Sequence, residues 1–129
     1  MKNFEEITHE ITDEEKQIAE DLCQILKKKT GKNNALTNKD LRLHLEVSFN
    51  KHVTGPRLRK VIQFIRLNGL LNGLIATSSG YWITEDPEEL NSWIESMKER
   101  ENAVRASRQA GERDLFLLQS NTVQTKLFE

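Results

Sequence analysis

Arg57, Arg59, Lys60, Gln63 and Arg66 fall within ten residues, and no acid stands between Thr54 and Asn68. Guanidinium and ammonium groups at that density suit the neutralisation of phosphate oxygens through charge-assisted hydrogen bonds, or simply the solvation of a helix surface. Thr54, Arg57, Lys60 and Gln63 are expected to face a groove, with Arg59 and Arg66 touching or flanking phosphates. The other reactive residue types have no catalytic arrangement. His9, His44 and His52 lack ligand-like spacing with Cys23 or with one another, which argues against a metal. There is no phosphate-cradling glycine loop, nucleophile elbow or pair of facing carboxylates, so the sequence points to no cofactor and no enzyme.

The cations need an element to carry them, and the local sequence supplies one. Thr54, Gly55 and Pro56 form a helix start, with a hydroxyl to cap and a proline where its missing donor costs nothing. Leu58, Val61, Ile62 and Ile65 then repeat at the helical period, leaving the basic residues largely off the apolar face. Asn68-Gly69 stops the helix. Leu74–Thr77 and Tyr81–Thr84 read as short strands around a Ser78-Ser79-Gly80 turn, whose serines would approach a nucleic-acid backbone or minor groove. Tyr81 and Trp82 are expected to pack in the hairpin and core. A one-sided basic helix beside such a finger is what a winged helix-turn-helix domain presents to DNA.

Upstream, Thr12 and Glu15 make a capping box for a helix burying Ile18, Ala19, Leu22, Ile25 and Leu26 and ending near Thr30-Gly31. Ala35-Leu36 is a candidate short strand. Thr37 to Asp40 opens a second helix that carries Leu41 and Leu45 and stops before Val47. Asp86, Pro87, Glu88 and Glu89 cap a fourth helix, in which Leu90, Trp93, Ile94 and Met97 could pack on the domain. From Lys98 to Ala110 the apolar residues are Val104 and the small Ala103, Ala106 and Ala110, which fits a solvated extension or a dimer seam. The predicted class is mainly α with a small β-hairpin, a winged helix-turn-helix with an extended C-terminal helix and tail. Its parts are an N-terminal arm (1–11), the domain (12–97), a helical extension (98–110) and a C-terminal tail (111–129).

The net charge of −1 conceals a segregation: between Gly31 and Trp82 eight cationic residues stand against two acids, a surplus of six. That block contains the basic helix and hairpin, as a phosphate-binding face requires. No apolar run approaches the ~18 residues of a membrane span, and the single Cys23 suits a reducing compartment. A cytoplasmic location without membrane association is expected.

Arg59 to Leu67, Ile75 to Thr84, and Pro87 to Leu90 resemble small winged-helix proteins encoded by bacteriophages and integrated elements, often near replication genes. The resemblance spans about Thr37 to Ala110 and departs at Leu70 to Gly73, where a shorter turn is expected. It implies the fold and a DNA-associated role. A second resemblance lies in 124–128: Gln124, Leu127 and Phe128 match the Gln-x-x-Leu-Phe peptide by which bacterial replication and repair proteins bind the DNA sliding clamp. Thr125 and Lys126 depart from that family's preferences.

Together these imply a phage or mobile-element accessory protein that binds double-stranded DNA through its third helix and hairpin. Gln124, Leu127 and Phe128 would tether it to the host clamp in replication. Neutralising four or five phosphates would give a salt slope near −4. Two alternatives stay open. One is a transcriptional regulator that dimerises through the C-terminal helix, with Ala103 and Val104 in the seam. The other is an inhibitor of the host clamp or its loader that binds no DNA.

Overall fold

The structure, a computed structural model, describes residues 10–128, with side chains as far as 121. Residues Met1–Leu90 and Asn91–Glu129 form two compact units.

Three helices with local start signals build the first unit. α1 (Asp13–Leu26) opens on the expected capping box: Thr12 Oγ1 accepts from Glu15 N at 3.1 Å, and a Glu15 carboxylate oxygen accepts from Thr12 N at 3.0 Å. α2 (Asn38–Phe49) repeats the device with Thr37 and Asp40, at 3.2 and 3.0 Å. α3 (Gly55–Leu67) starts on Thr54, whose hydroxyl accepts from Arg57 N at 3.3 Å, with Pro56 in its first turn. The three meet through Ile18, Leu22 and Leu26 of α1, Leu41 and Leu45 of α2, and Leu58, Val61 and Ile65 of α3, all fully buried. Each contributes roughly 1.5–3 kcal/mol relative to exposure.

The hairpin follows. β1 (Leu74–Thr77) pairs antiparallel with β2 (Gly80–Ile83), placing Leu74 opposite Ile83 and Thr77 opposite Gly80. The loop is therefore the two residues Ser78-Ser79, and β2 begins one residue earlier than the sequence suggests. Leu74, Ile75 and Trp82 turn inward and are buried, while Tyr81 is half-buried. The Trp82 indole donates to Glu89 at 3.0 Å. Leu36 forms an isolated bridge to Tyr81, with N–H to O distances of 2.9 and 2.7 Å in the two directions, where the sequence suggested a short strand. Gly80 makes that approach possible: its φ is +118°, and a Cβ there would lie 2.6 Å from the Leu36 carbonyl. Gly73, at φ +77°, lets the chain turn into β1 while its carbonyl accepts from Thr84 N at 2.8 Å.

Three element ends differ from expectation. α1 stops at Leu26 and gives way to a turn over Lys27–Lys29, short of Thr30. α2 continues through Val47 to Phe49, which brings the Phe49 ring against the core; Asn50, left-handed at φ 53°, then ends it. α4 (Pro87–Phe128) runs across the segment 111–128 that reads as a tail from sequence. Gly111 does not interrupt it, since one glycine costs only about 1 kcal/mol in a helix and the following residues are good helix formers. In α4, Ile94 and Met97 are exposed and Leu90 and Trp93 half-buried. No helix among the described residues is long and apolar enough to cross a membrane.

Candidate nucleic-acid interface

The cations expected on the outer face of α3 divide into two groups. Arg57 and Lys60 turn toward α1. Arg57 Nε lies 3.2 Å and Lys60 Nζ 3.0 Å from the two carboxylate oxygens of Glu15, and Arg57 Nη2 lies 3.5 Å from Glu14. Glu15 is only 3% exposed. Burial alone would raise its pKa, but the hydrogen bonds from Thr12, Lys60 and Arg57 outweigh that and hold the carboxyl down at about 2. Arg66 is half-buried and its Nη1 donates to the Leu74 carbonyl at 2.6 Å, fastening the end of α3 to the start of β1. Burial lowers its pKa, with Tyr81 acting in the opposite direction.

Thr54, Arg59 and Gln63 do face outward, and Ser78 and Ser79 are exposed at the hairpin turn. Arg59 has no carboxylate partner among the described residues. The side chains of Gln124, Leu127 and Phe128 lie outside the described residues; their backbone belongs to the last turns of α4.

Around Arg59 the structure assembles a corner that the sequence reading did not contain. The Asn38 carboxamide donates to the Gly55 carbonyl at 3.2 Å and accepts from Arg42 Nε at 2.8 Å, joining the N-terminal ends of α2 and α3. A Cβ built on Gly55 would lie 3.5 Å from Asn38 Oδ1 and 3.8 Å from Arg59 Nη1, so these groups surround one point. Beside them runs a hollow of about 410 Å³ lined by Lys39, Asp40, Arg42, Leu43, Glu46, Lys51, His52, Val53 and Thr54, so cations and acids share its wall. Lys51 also pairs with buried Asp21. Arg42 and Arg59 thus stand at the adjoining N-terminal ends of α2 and α3, with Lys39 beside Arg42 in the hollow. Lys39 and Arg42 belong to the basic block of the sequence, but only the Asn38 bracket, 17 residues long in sequence separation, shows that they join α3.

A second groove, of about 360 Å³, runs along α3 and is lined by Ile11, Pro56, Arg59, Lys60, Gln63, Phe64, Leu67 and Asn68, with Leu67 exposed. No group of three or more metal-ligating side chains converges among the described residues. No protein-family model, curated protein or solved structure matches this chain.

Proposed function

We propose that this chain is a double-stranded-DNA-binding protein of winged-helix type. The observation that carries the reading is the Asn38 bracket, which sets Arg42 and Arg59 together at the start of α3 beside the outward-facing Thr54 and Gln63. The helix order and the Leu36–Tyr81 bridge, which adds a third strand-like edge to the hairpin, support the winged-helix assignment. With Arg57 and Lys60 engaged by Glu15, the phosphate-contacting set is smaller than the sequence suggests. Arg42 and Arg59 at the corner, with exposed Lys39 next to Arg42, correspond to a log K against log salt slope of about −3, in place of −4.

In this reading Gln124, Leu127 and Phe128 tether the protein to the bacterial sliding clamp, in the manner of phage and mobile-element accessory proteins. Because these residues stand in a helix, engaging a cleft in extended form requires the last turns of α4 to unwind.

Anisotropy titrations of a labelled duplex across a salt series test the DNA contact. Binding should weaken with a slope near −3 and fall further in Lys39→Ala, Arg59→Ala. Absence of binding to any duplex at low salt overturns the reading. Calorimetry with the clamp, comparing intact protein with Leu127→Ala, Phe128→Ala, tests the tether separately. The groove beside Leu67 favours a second reading, a protein-binding module that obstructs the clamp or its loader; clamp competition without duplex affinity selects it.

A further inference from the structure

We infer that α4 is one half of an antiparallel coiled coil and that its partner is a second copy of this chain. Ile94, Met97, Val104, Leu115 and Leu118 are all exposed, Val104 by 69% and Leu118 by 65%. They fall on a single heptad seam, with spacings of three and four residues, over about 36 Å of helix. Glu101, Arg108 and Gly111 occupy the remaining seam positions.

That seam is its own complement when reversed. Ile94 and Leu118 stand equally far from Ala106, and so do Met97 and Leu115. Turning one helix end for end about Ala106 places Ile94 on the partner's Leu118 and Met97 on the partner's Leu115, giving two fully apolar layers at each end. In the middle, Val104 meets the stem of the partner's Arg108, and Glu101 meets the partner's Gly111. The missing side chain there leaves room for the Glu101 carboxylate to reach the partner's Arg108, one turn away. Both halves of this central arrangement occur twice by symmetry.

The flanking charges obey the same reversal. Lys98 and Arg100 border one end of the seam and Glu112 and Asp114 the other. In the antiparallel pair Lys98 lies beside the partner's Glu112 and Arg100 beside the partner's Asp114, while Arg105 meets its own copy at the two-fold, each with Glu101 of its own helix 3.7 Å away. Among the described residues this stretch makes local pairs: Lys98 with Glu95 at 3.2 Å, Arg105 with Glu101 at 3.7 Å, Arg108 with Glu112, and Asp114 with its neighbour Arg113. A parallel pair would stack Glu101 on Glu101 and Arg108 on Arg108 within the seam and set Arg100 against Arg105, so like charges oppose it. An unrelated partner would have no reason to match a pattern symmetric about Ala106. Val104 therefore lies in the seam and Ala103 beside it.

Sedimentation of the full chain tests the inference. The expected mass is twice 15.0 kDa. Val104→Asp should return it to the monomer value, with unchanged hydrogen-exchange protection in α1 and α3 to show that the first unit remains folded. Glu101→Arg should weaken the dimer several-fold, and Glu101→Arg, Arg108→Glu should restore it. Mixing Ile94→Cys with Leu118→Cys should give a disulfide between those two positions, assigned by peptide mass. A monomer at every concentration, a larger oligomer, a dimer indifferent to Val104→Asp, or self-linking of Ile94→Cys each overturns the proposal.

Discussion

Lys60 Nζ sits 3.0 Å from Glu15 Oε1 across 45 residues of sequence, while Arg57 holds the other oxygen of the same carboxylate. One buried acid thus caps its own helix and fixes two cations of α3 against α1. Removing it has two separable effects. In Glu15→Gln the cap survives in part, but Lys60 loses its counterion and Arg57 keeps Glu14 alone, and the cost should be about 2–4 kcal/mol in denaturant unfolding. The released Arg57 and Lys60 become available to phosphate, so the duplex salt slope should steepen by about 2. A slope unchanged by the substitution would show that these side chains never reach DNA.

Acid should unfold the protein partly through the same carboxyl. Its pKa is about 2 in the fold against 4.5 in the free chain. A depressed carboxyl stabilises the fold fully above pH 4.5, and that contribution drains away as pH falls toward 2, by on the order of 3 kcal/mol. Denaturation midpoints measured across that window should fall steeply for the native sequence and more gently for Glu15→Gln.

Gly80→Ala should damage the hairpin out of proportion to one methyl group. The new Cβ meets the Leu36 carbonyl at 2.6 Å, and the backbone sits at φ +118°, which side chains rarely adopt. A loss of about 1–3 kcal/mol is expected. Faster hydrogen exchange at the Leu36 and Tyr81 amides would report that the bridge has opened.

Arg66→Met should cost stability more than affinity. The guanidinium bond to the Leu74 carbonyl disappears, at about 1.5–3 kcal/mol for a charge-assisted contact. Duplex affinity should drop less than in Arg59→Ala, whose side chain faces outward. The reverse order would place Arg66 among the phosphate contacts.

What the sequence revealed was whatever depends on near neighbours. The capping box at Thr12, the helix opening at Thr37, the start of α3 at Thr54, and the two-strand pattern around Ser78 are all decided within a few residues, and all are present. Leu58, Val61, Ile62 and Ile65 were legible as a buried face because helical period and burial coincide. The fate of the cations was not legible. Off the apolar face, Arg57 and Arg59 look alike in sequence, and only the packing of α1 on α3 places Glu15 beside one of them. For the same reason Arg42 escaped notice: its link to α3 passes through Asn38, whose role no local pattern announces. The run of α4 beyond Ala110 was not legible because the charged stretch 98–110 offers few large apolar residues to extend a helical period, and the glycine that follows merely weakens a helix.

The second strand of the hairpin is gripped from both sides. Ile83 shares hydrogen bonds with Lys29 and Gly31, and Tyr81 with Leu36, while β1 holds the inner edge. A load applied at Ser78-Ser79 is therefore borne by the whole loop from Lys29 to Leu36, and through it by the ends of two helices. Any molecule that grasps the fingertip must tug on the palm, so slowed exchange at Gly31 and Leu36 would betray an occupant that never touches either residue.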